Sequence, residues 1–298
     1  MSDKSKAMQI GQLGDITINR ILELEAPYAR LLELFDEALP EAVEPHRHWL
    51  EPRALDPETG KIILPVQSYL VRTRHHTILI DTCIGCRKSY DGEPEWQDRR
   101  DEAWLRNLTA AGVGPEDIDY VFCTHLHADH CGWNTHLVDG RWTPTFPNAK
   151  YILAADEYAA SEAGGTAVFH ENVLPIVEAG QAALVDMDYA LDDEVWLTPA
   201  PGHTAGHVAV NIASRGRNAV MIGDMMHSPI QLAHPEWSPS FDHDPALSAE
   251  TRQRFLDSHC ETDILVLTAH FPSPSVGHVV SHDERAFDFE YLPSASAI

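Results

Sequence analysis

The segment His125-Leu126-His127-Ala128-Asp129-His130 follows directly on the apolar run Ile118-Asp119-Tyr120-Val121-Phe122-Cys123-Thr124, and no other stretch of the chain restricts the possible folds as much. Three imidazoles and a carboxylate crowded at the end of a rigid strand repel one another when protonated and leave lone pairs unused when neutral. A bound cation removes both difficulties. Backbone alternation at a strand end sends His125 and His127 toward one point, while Asp129 and His130 turn toward a neighbouring one. The spacing therefore predicts two metal ions side by side, bridged by water.

Two ions need more donors than this cluster holds, and three other apolar runs end in a suitable one. Val195-Trp196-Leu197 leads to Pro201-Gly202-His203-Thr204-Ala205-Gly206-His207, Ala219-Val220-Met221-Ile222-Gly223 leads to Asp224, and Ile264-Leu265-Val266-Leu267-Thr268-Ala269 leads to His270. Taken singly, a histidine or aspartate after a strand is more often a cap or turn residue. With the first cluster in place, the three complete a ligand set on one edge of the sheets. Eighteen histidines in 298 residues fit the same reading, histidine being the commonest metal ligand.

From residue 61 onward, short apolar runs alternate with helical segments. Strands are expected over 62–71, 77–80, 118–124, 150–154, 194–198, 207–213, 218–223 and 263–268. Helices are expected over 96–111, 155–163, 169–179 and 246–259. Hairpin-like pairs are frequent, which suits an α+β fold with helices on the outer faces of two packed sheets better than a purely parallel sheet. Residues 1–60 read as an N-terminal extension serving the pocket or a dimer interface. It holds a strand over Asp15–Leu22, a short helix over Leu31–Leu39, and prolines at 27, 40, 45, 52 and 57. Residues 61–282 form the core and 283–298 a C-terminal strand and tail, the whole read as one domain.

Twenty-one basic side chains against 46 acidic ones leave a net charge of −25, which repels phosphate backbones and anionic headgroups. Nucleic acid and membrane are therefore not expected partners; a small-molecule substrate is, with a two-fold homodimer as the expected assembly. No apolar run is long enough to span a bilayer, and the opening residues Met1–Lys6 carry no secretory pattern. Five cysteines, an odd number, argue for a reducing cytoplasm, and the Cys83-Ile84-Gly85-Cys86 pair is read as an ordinary loop.

The His125–His130 motif, together with His203, Asp224 and His270, resembles the metallo-β-lactamase-fold hydrolases, the likeness covering most of residues 61–282. The resemblance implies a four-layer αβ/βα sandwich with two divalent metals at one edge. His125, His127 and His203 would hold one ion, Asp129, His130 and His270 the other, and Asp224 both. Zinc is the expected metal; manganese, iron and cobalt are compatible with such donors. The cysteine that class B1 β-lactamases of this fold use between their aspartate and last histidine is missing. Cys131-Gly132-Trp133-Asn134, Trp142–Ala149 and Ala269-His270-Phe271-Pro272 resemble the methyl parathion hydrolase-like and lactonase branch. Acyl-homoserine lactonases of this fold look to place a tyrosine three residues after the bridging aspartate, where this chain has His227.

The chemistry implied is attack by a metal-bridging hydroxide on an ester or lactone carbonyl, with Asp129 and Asp224 at the reacting centre. His227 is the candidate for stabilising the oxyanion or returning a proton. Asp81 is expected to orient a ligand histidine from behind, and Thr204, His207 and His278 to support the ligand loops. Phe35, Trp49, Trp133, Trp237 and Phe271 are the candidate apolar pocket. Rival readings are an organophosphate triesterase, an arylesterase, a glyoxalase II-like thioesterase and, more remotely, a mono-iron dioxygenase.

Overall fold

The computed structural model describes residues 7–90, 92, 94–283 and 286–293. The opening Met1–Lys6 and the tail 294–298 lie outside them. Among these residues the strands run β1 (Ala7–Leu13), β2 (Ile16–Arg30), β3 (Lys61–Arg72), β4 (Thr77–Ile80), β5 (Tyr120–Phe122), β6 (Thr135–Val138), β7 (Arg141–Pro144) and β8 (Lys150–Ala154). They continue with β9 (Ala182–Val185), β10 (Val195–Pro199), β11 (Val208–Ser214), β12 (Arg217–Met221), β13 (Leu265–Leu267), β14 (Val276–Ser281) and β15 (Phe287–Tyr291). One sheet has the order β1-β2-β3-β4-β5-β8-β9, the other runs β10 to β15 in sequence order, and β6-β7 is a separate hairpin.

Side-chain alternation along the strands makes the layers. Ile78, Ile80, Phe122 and Ile152 of the first sheet meet Val210, Ile212, Met221 and Leu267 of the second in one buried cluster. The intervening Leu79, Val121, Tyr151 and Leu153 face the other way, against Trp104 and Leu108 of the helix Ala103–Ala110. Val220 and Val266 of the second sheet pack outward on Phe255 and Leu256 of the helix Pro245–His259. Asp244 caps that helix by accepting from the Leu247 amide, with proline at its first position. The result is the expected helix–sheet–sheet–helix sandwich. None of the helices is long and apolar enough among the described residues to cross a membrane.

The extension differs most from the sequence expectation. Its strand does not stop at Leu22: β2 continues to Arg30, pairing with β3 from Thr17 to Arg30, so the extension supplies an edge of the larger sheet. The helix expected over 31–39 is one turn, Leu31–Leu34, followed by short turns at Pro40–Val43 and Arg47–Leu50. The helix expected from Trp96 begins at Ala103, because backbone bonds from Arg87 to Arg99 and from Asp98 to Lys88 hold that stretch as a loop. β1, β6, β7, β9 and β14 had no expected counterpart.

Candidate metal centre

Every strand that carries a candidate ligand delivers it just past its C-terminal end, where a sheet leaves backbone free to turn toward a ligand. β5 is followed by His125–His130, β10 by His203 and His207, β12 by Asp224, and β13 by His270. Donor atoms of His125, His127, His203 and Asp224 lie within 4.8 Å of one another, and so do those of Asp129, His130 and His270. Asp224 faces both groups. Its Oδ2 is 3.6 Å from His125 Nε2 and 3.4 Å from His203 Nε2, while Oδ1 is 2.9 Å from His130 Nε2 and 3.0 Å from His270 Nε2. Asp129 Oδ2 is 3.6 Å from His130 Nε2 and 3.5 Å from His270 Nε2. A tetrahedron with metal–nitrogen bonds near 2.0–2.1 Å has edges of about 3.3 Å, close to these separations.

The ring partners explain why these nitrogens gather. His130 Nδ1 is 2.9 Å from Asp81 Oδ2, and His270 Nδ1 is 2.9 Å from the Pro65 carbonyl oxygen. Both Nδ1 atoms therefore carry the proton in the neutral ring, and the two Nε2 lone pairs face each other at 3.3 Å. His203 Nδ1 sits 2.7 Å from Asp242 Oδ1, so its Nε2 lone pair likewise points at His127 Nδ1, 2.9 Å away. Among the described residues, His125 Nε2 and Asp224 Oδ1 are buried without a hydrogen-bond partner. Converging lone pairs and orphaned atoms of this kind are what divalent ions satisfy, so the residues fit a pair of metals.

The protonation tendencies divide along the same line. Burial holds His125 and His203 far below the ordinary histidine range and His127 down to about 3, keeping their lone pairs available. Burial also opposes charge on His130 and His270, but Asp224 and Asp129 overcome it and raise both. Burial works against the Asp224 carboxylate too, and His130 and His270 outweigh it and hold the group well below the usual range.

Local geometry secures the candidate ligands. Asp81, at the end of β4, has a φ of 58°, which is uncommon for a residue with a Cβ. That turn aims one carboxylate at the Thr124 amide and hydroxyl and at His130. His207 donates from Nδ1 to the Ala200 carbonyl and accepts the Asp224 amide at Nε2, fixing the backbone of the bridging residue. Gly223 just before it has a φ of 52°, and a Cβ there would stand 2.5 Å from His207 Nε2. Thr204 donates to Glu157, which also accepts from the Leu126 and Gly206 amides and so ties two ligand loops together. Asp242, Glu157 and the Pro65 carbonyl were not expected from the sequence, where nothing local marks them.

Two expectations need correction. His278 lies on β14 with Nδ1 on the Ile264 carbonyl, and among the described residues none of the metal-centre residues is a hydrogen-bond partner of it. The five expected pocket aromatics do not line the cavity above the ligands. Trp133 stacks on Trp104 at 5.6 Å and donates to Glu23, Phe35 packs in the same core, and Phe271 lies under Phe289. Trp237 stacks on His234, and Trp49 lies against His46. The cavity, about 850 Å³, opens over His127, Asp129, His203, Asp224, His227 and His270. Its apolar wall includes Tyr28, Leu64, Tyr90, Trp96, Val168 and Phe241. Aromatic residues carry no local pattern that separates core from cavity. The five cysteines are unpaired.

His227 is 4% exposed, stacks on His270 at 5.6 Å and brings Nε2 to 3.2 Å from Asp224 Oδ2; among the described residues neither ring nitrogen has a hydrogen-bond partner.

Comparison with known proteins agrees with this geometry. An N-acyl homoserine lactonase from a Bacillus species is 27% identical over 202 residues, covering 63% of this chain and 75% of that protein. The N-acyl homoserine lactonase AttM of Azorhizobium caulinodans is 33% identical over 163 residues, 48% of this chain and 58% of its own length. Among solved structures, the hydrolase AbOPH of the beta lactamase superfamily matches with a TM-score of 0.79 at 23% identity, over 98% of this chain and 99% of that one. AidC, a dizinc quorum-quenching lactonase in complex with a product, matches with a TM-score of 0.79 at 21% identity, over 97% and 99%. These two likenesses are of fold. The profile of the metallo-beta-lactamase superfamily matches residues 63–270, well over half of the chain, and with the ligand geometry above it establishes that the chain belongs to that superfamily.

Proposed function

We propose that the chain is a dinuclear metal-dependent hydrolase that opens an ester or lactone of a small, fairly apolar molecule. The observation that carries the reading is the division of Asp224, with one carboxylate oxygen facing His125 and His203 and the other facing His130 and His270. When bound, two divalent ions supply a water acidic enough to be a nucleophile near neutral pH and a Lewis acid for the carbonyl oxygen. His125, His127 and His203 would hold one ion, Asp129, His130 and His270 the other, and Asp224 both; zinc suits such donors.

The remaining work falls to the chain. Tyr28, Leu64, Trp96 and Phe241 give the substrate an apolar wall and keep water from the reacting ester. His227 Nε2, free of other bonds, is placed to donate a proton to the developing oxyanion or to the leaving oxygen. The lactonase relatives support ester or lactone chemistry. A phosphotriester or aryl ester is the second reading, favoured by His227 standing where acyl-homoserine lactonases look to carry tyrosine. Residence in a reducing cytoplasm, supported by the unpaired cysteines, and a homodimer, supported by exposed Leu32 and Leu39 on the extension, belong to the same proposal.

Metal analysis with a panel of lactones, aryl esters and phosphotriesters tests it. Two equivalents of metal with lactone or ester turnover, abolished by chelation and restored by zinc, is the expected result. Full turnover in chelator-stripped protein, or one iron with oxygen consumption, overturns it.

A further inference from the structure

His270 sits on a loop that belongs to the second sheet, yet the first sheet grips that loop on both sides of it. Gln67 of β3 faces the space between the sheets and is 3% exposed. Its Nε2 donates to the Thr268 carbonyl at 2.7 Å and the Ala269 carbonyl at 3.0 Å, the two peptide oxygens just before His270. Tyr69, two residues further along β3, donates its hydroxyl to the same Thr268 oxygen at 2.9 Å. Beyond His270, Ser273 donates its amide to Glu25 Oε1 at 2.7 Å and accepts from Arg20 Nη1 at 2.7 Å. The imidazole itself leans on the Pro65 carbonyl of β3.

Arg20 sets the orientation of the Gln67 amide. A guanidinium has only donors, and its Nε donates to Gln67 Oε1. Peptide carbonyls have only acceptors, so the amide has one workable orientation and both Nε2 hydrogens are consumed by the loop. Arg20 is 4% exposed, so this arrangement is sealed from water. The His125, His127 and His203 side chains make none of these contacts among the described residues; His125 bonds to Thr124, His203 to Asp242, and His127 to His203.

We infer that Gln67, oriented by Arg20, is a positioning residue that fixes the His270 loop and thereby governs occupancy of the Asp129/His130/His270 metal position independently of its neighbour. The inference rests on the dinuclear reading above. It gives the β2 strand of the extension a task other than lining a pocket or a dimer face: through Arg20 and Glu25 it braces the last metal ligand.

Zinc alone is the probe. Wild type, Gln67→Met and Gln67→Glu are titrated with zinc against a competing chelator, and crystals grown with zinc are measured by anomalous diffraction for occupancy at each position. Methionine keeps length without donors, and a carboxylate would set its charge against two carbonyl oxygens. In both, one of the two ions is expected to bind about 10–100-fold more weakly, the size of effect typical when a ligand's support is removed. Occupancy should fall at Asp129/His130/His270 and stay full at His125/His127/His203. Tyr69→Phe, which removes one donor from the Thr268 oxygen, is a milder variant expected to weaken the same ion by a smaller factor, and it keeps the test decisive if Gln67 variants misfold. Wild-type affinity for both ions in every folded variant, or equal loss at both positions, overturns the inference. A wild-type protein that takes up fewer than two ions overturns the dinuclear reading and this inference with it.

Discussion

Asp242 Oδ1 lies 2.7 Å from His203 Nδ1, and both side chains are buried. The pair is 39 residues apart in sequence, and it holds the imidazole in the tautomer and orientation that present Nε2 to the site. Asp242→Asn preserves shape while removing the acceptor charge. Metal affinity is expected to fall about 10–100-fold, read by chelator competition. An unchanged affinity would show that the carboxylate has no hold on His203.

His227→Phe separates chemistry from metal binding. The substitution keeps a ring against His270 and Phe241 but removes both nitrogens. Turnover is expected to drop by about 100-fold or more, as for loss of a proton donor, with zinc content intact. Unaltered kcat would assign His227 a purely structural part.

Core and cavity aromatics should behave in opposite ways. Trp133→Ala empties a site that is 1% exposed and should cost about 3–5 kcal/mol in denaturant unfolding. Phe241, 48% exposed at the cavity rim, should lose about 0.5 kcal/mol or less on truncation while raising KM. Reversed results would place Trp133, not Phe241, against the substrate.

Glu23 predicts a pH dependence of stability. Burial pushes its carboxyl up to about 7, despite hydrogen bonds from Ile84 and Trp133 that favour the charged form. The folded chain thus holds this proton more tightly than the unfolded one. The associated stability is complete below pH 4.5 and is lost as pH rises through about 7, some 3 kcal/mol in all. Urea unfolding of wild type and Glu23→Gln across that window should show a difference that changes with pH in this sense. A constant difference would mean that Glu23 titrates normally.

The candidate ligands and the strand ends that carry them were legible in the chain order alone. His125–His130, His203, Asp224 and His270 each follow an apolar run, and a metal demands particular donor types at particular backbone positions, so composition and local order suffice. The same holds for the two-sheet sandwich, because Leu79 and Ile80, or Val121 and Phe122, alternate between faces wherever they are placed. How those candidates are held, and what surrounds them, became visible once the chain was folded. An imidazole accepts orientation from any oxygen at the right distance, whether the Asp242 carboxylate or the Pro65 carbonyl, which is 205 residues from His270. Such partners carry no spacing rule. Trp96 and Trp133 are equally apolar, yet one lines the cavity and the other fills the core, because a ring's hydrophobicity is satisfied by burial against any neighbour. The long β2 strand of the extension was hidden for a related reason: its outer half is partly exposed and includes Pro27, and only pairing with β3 makes it a strand.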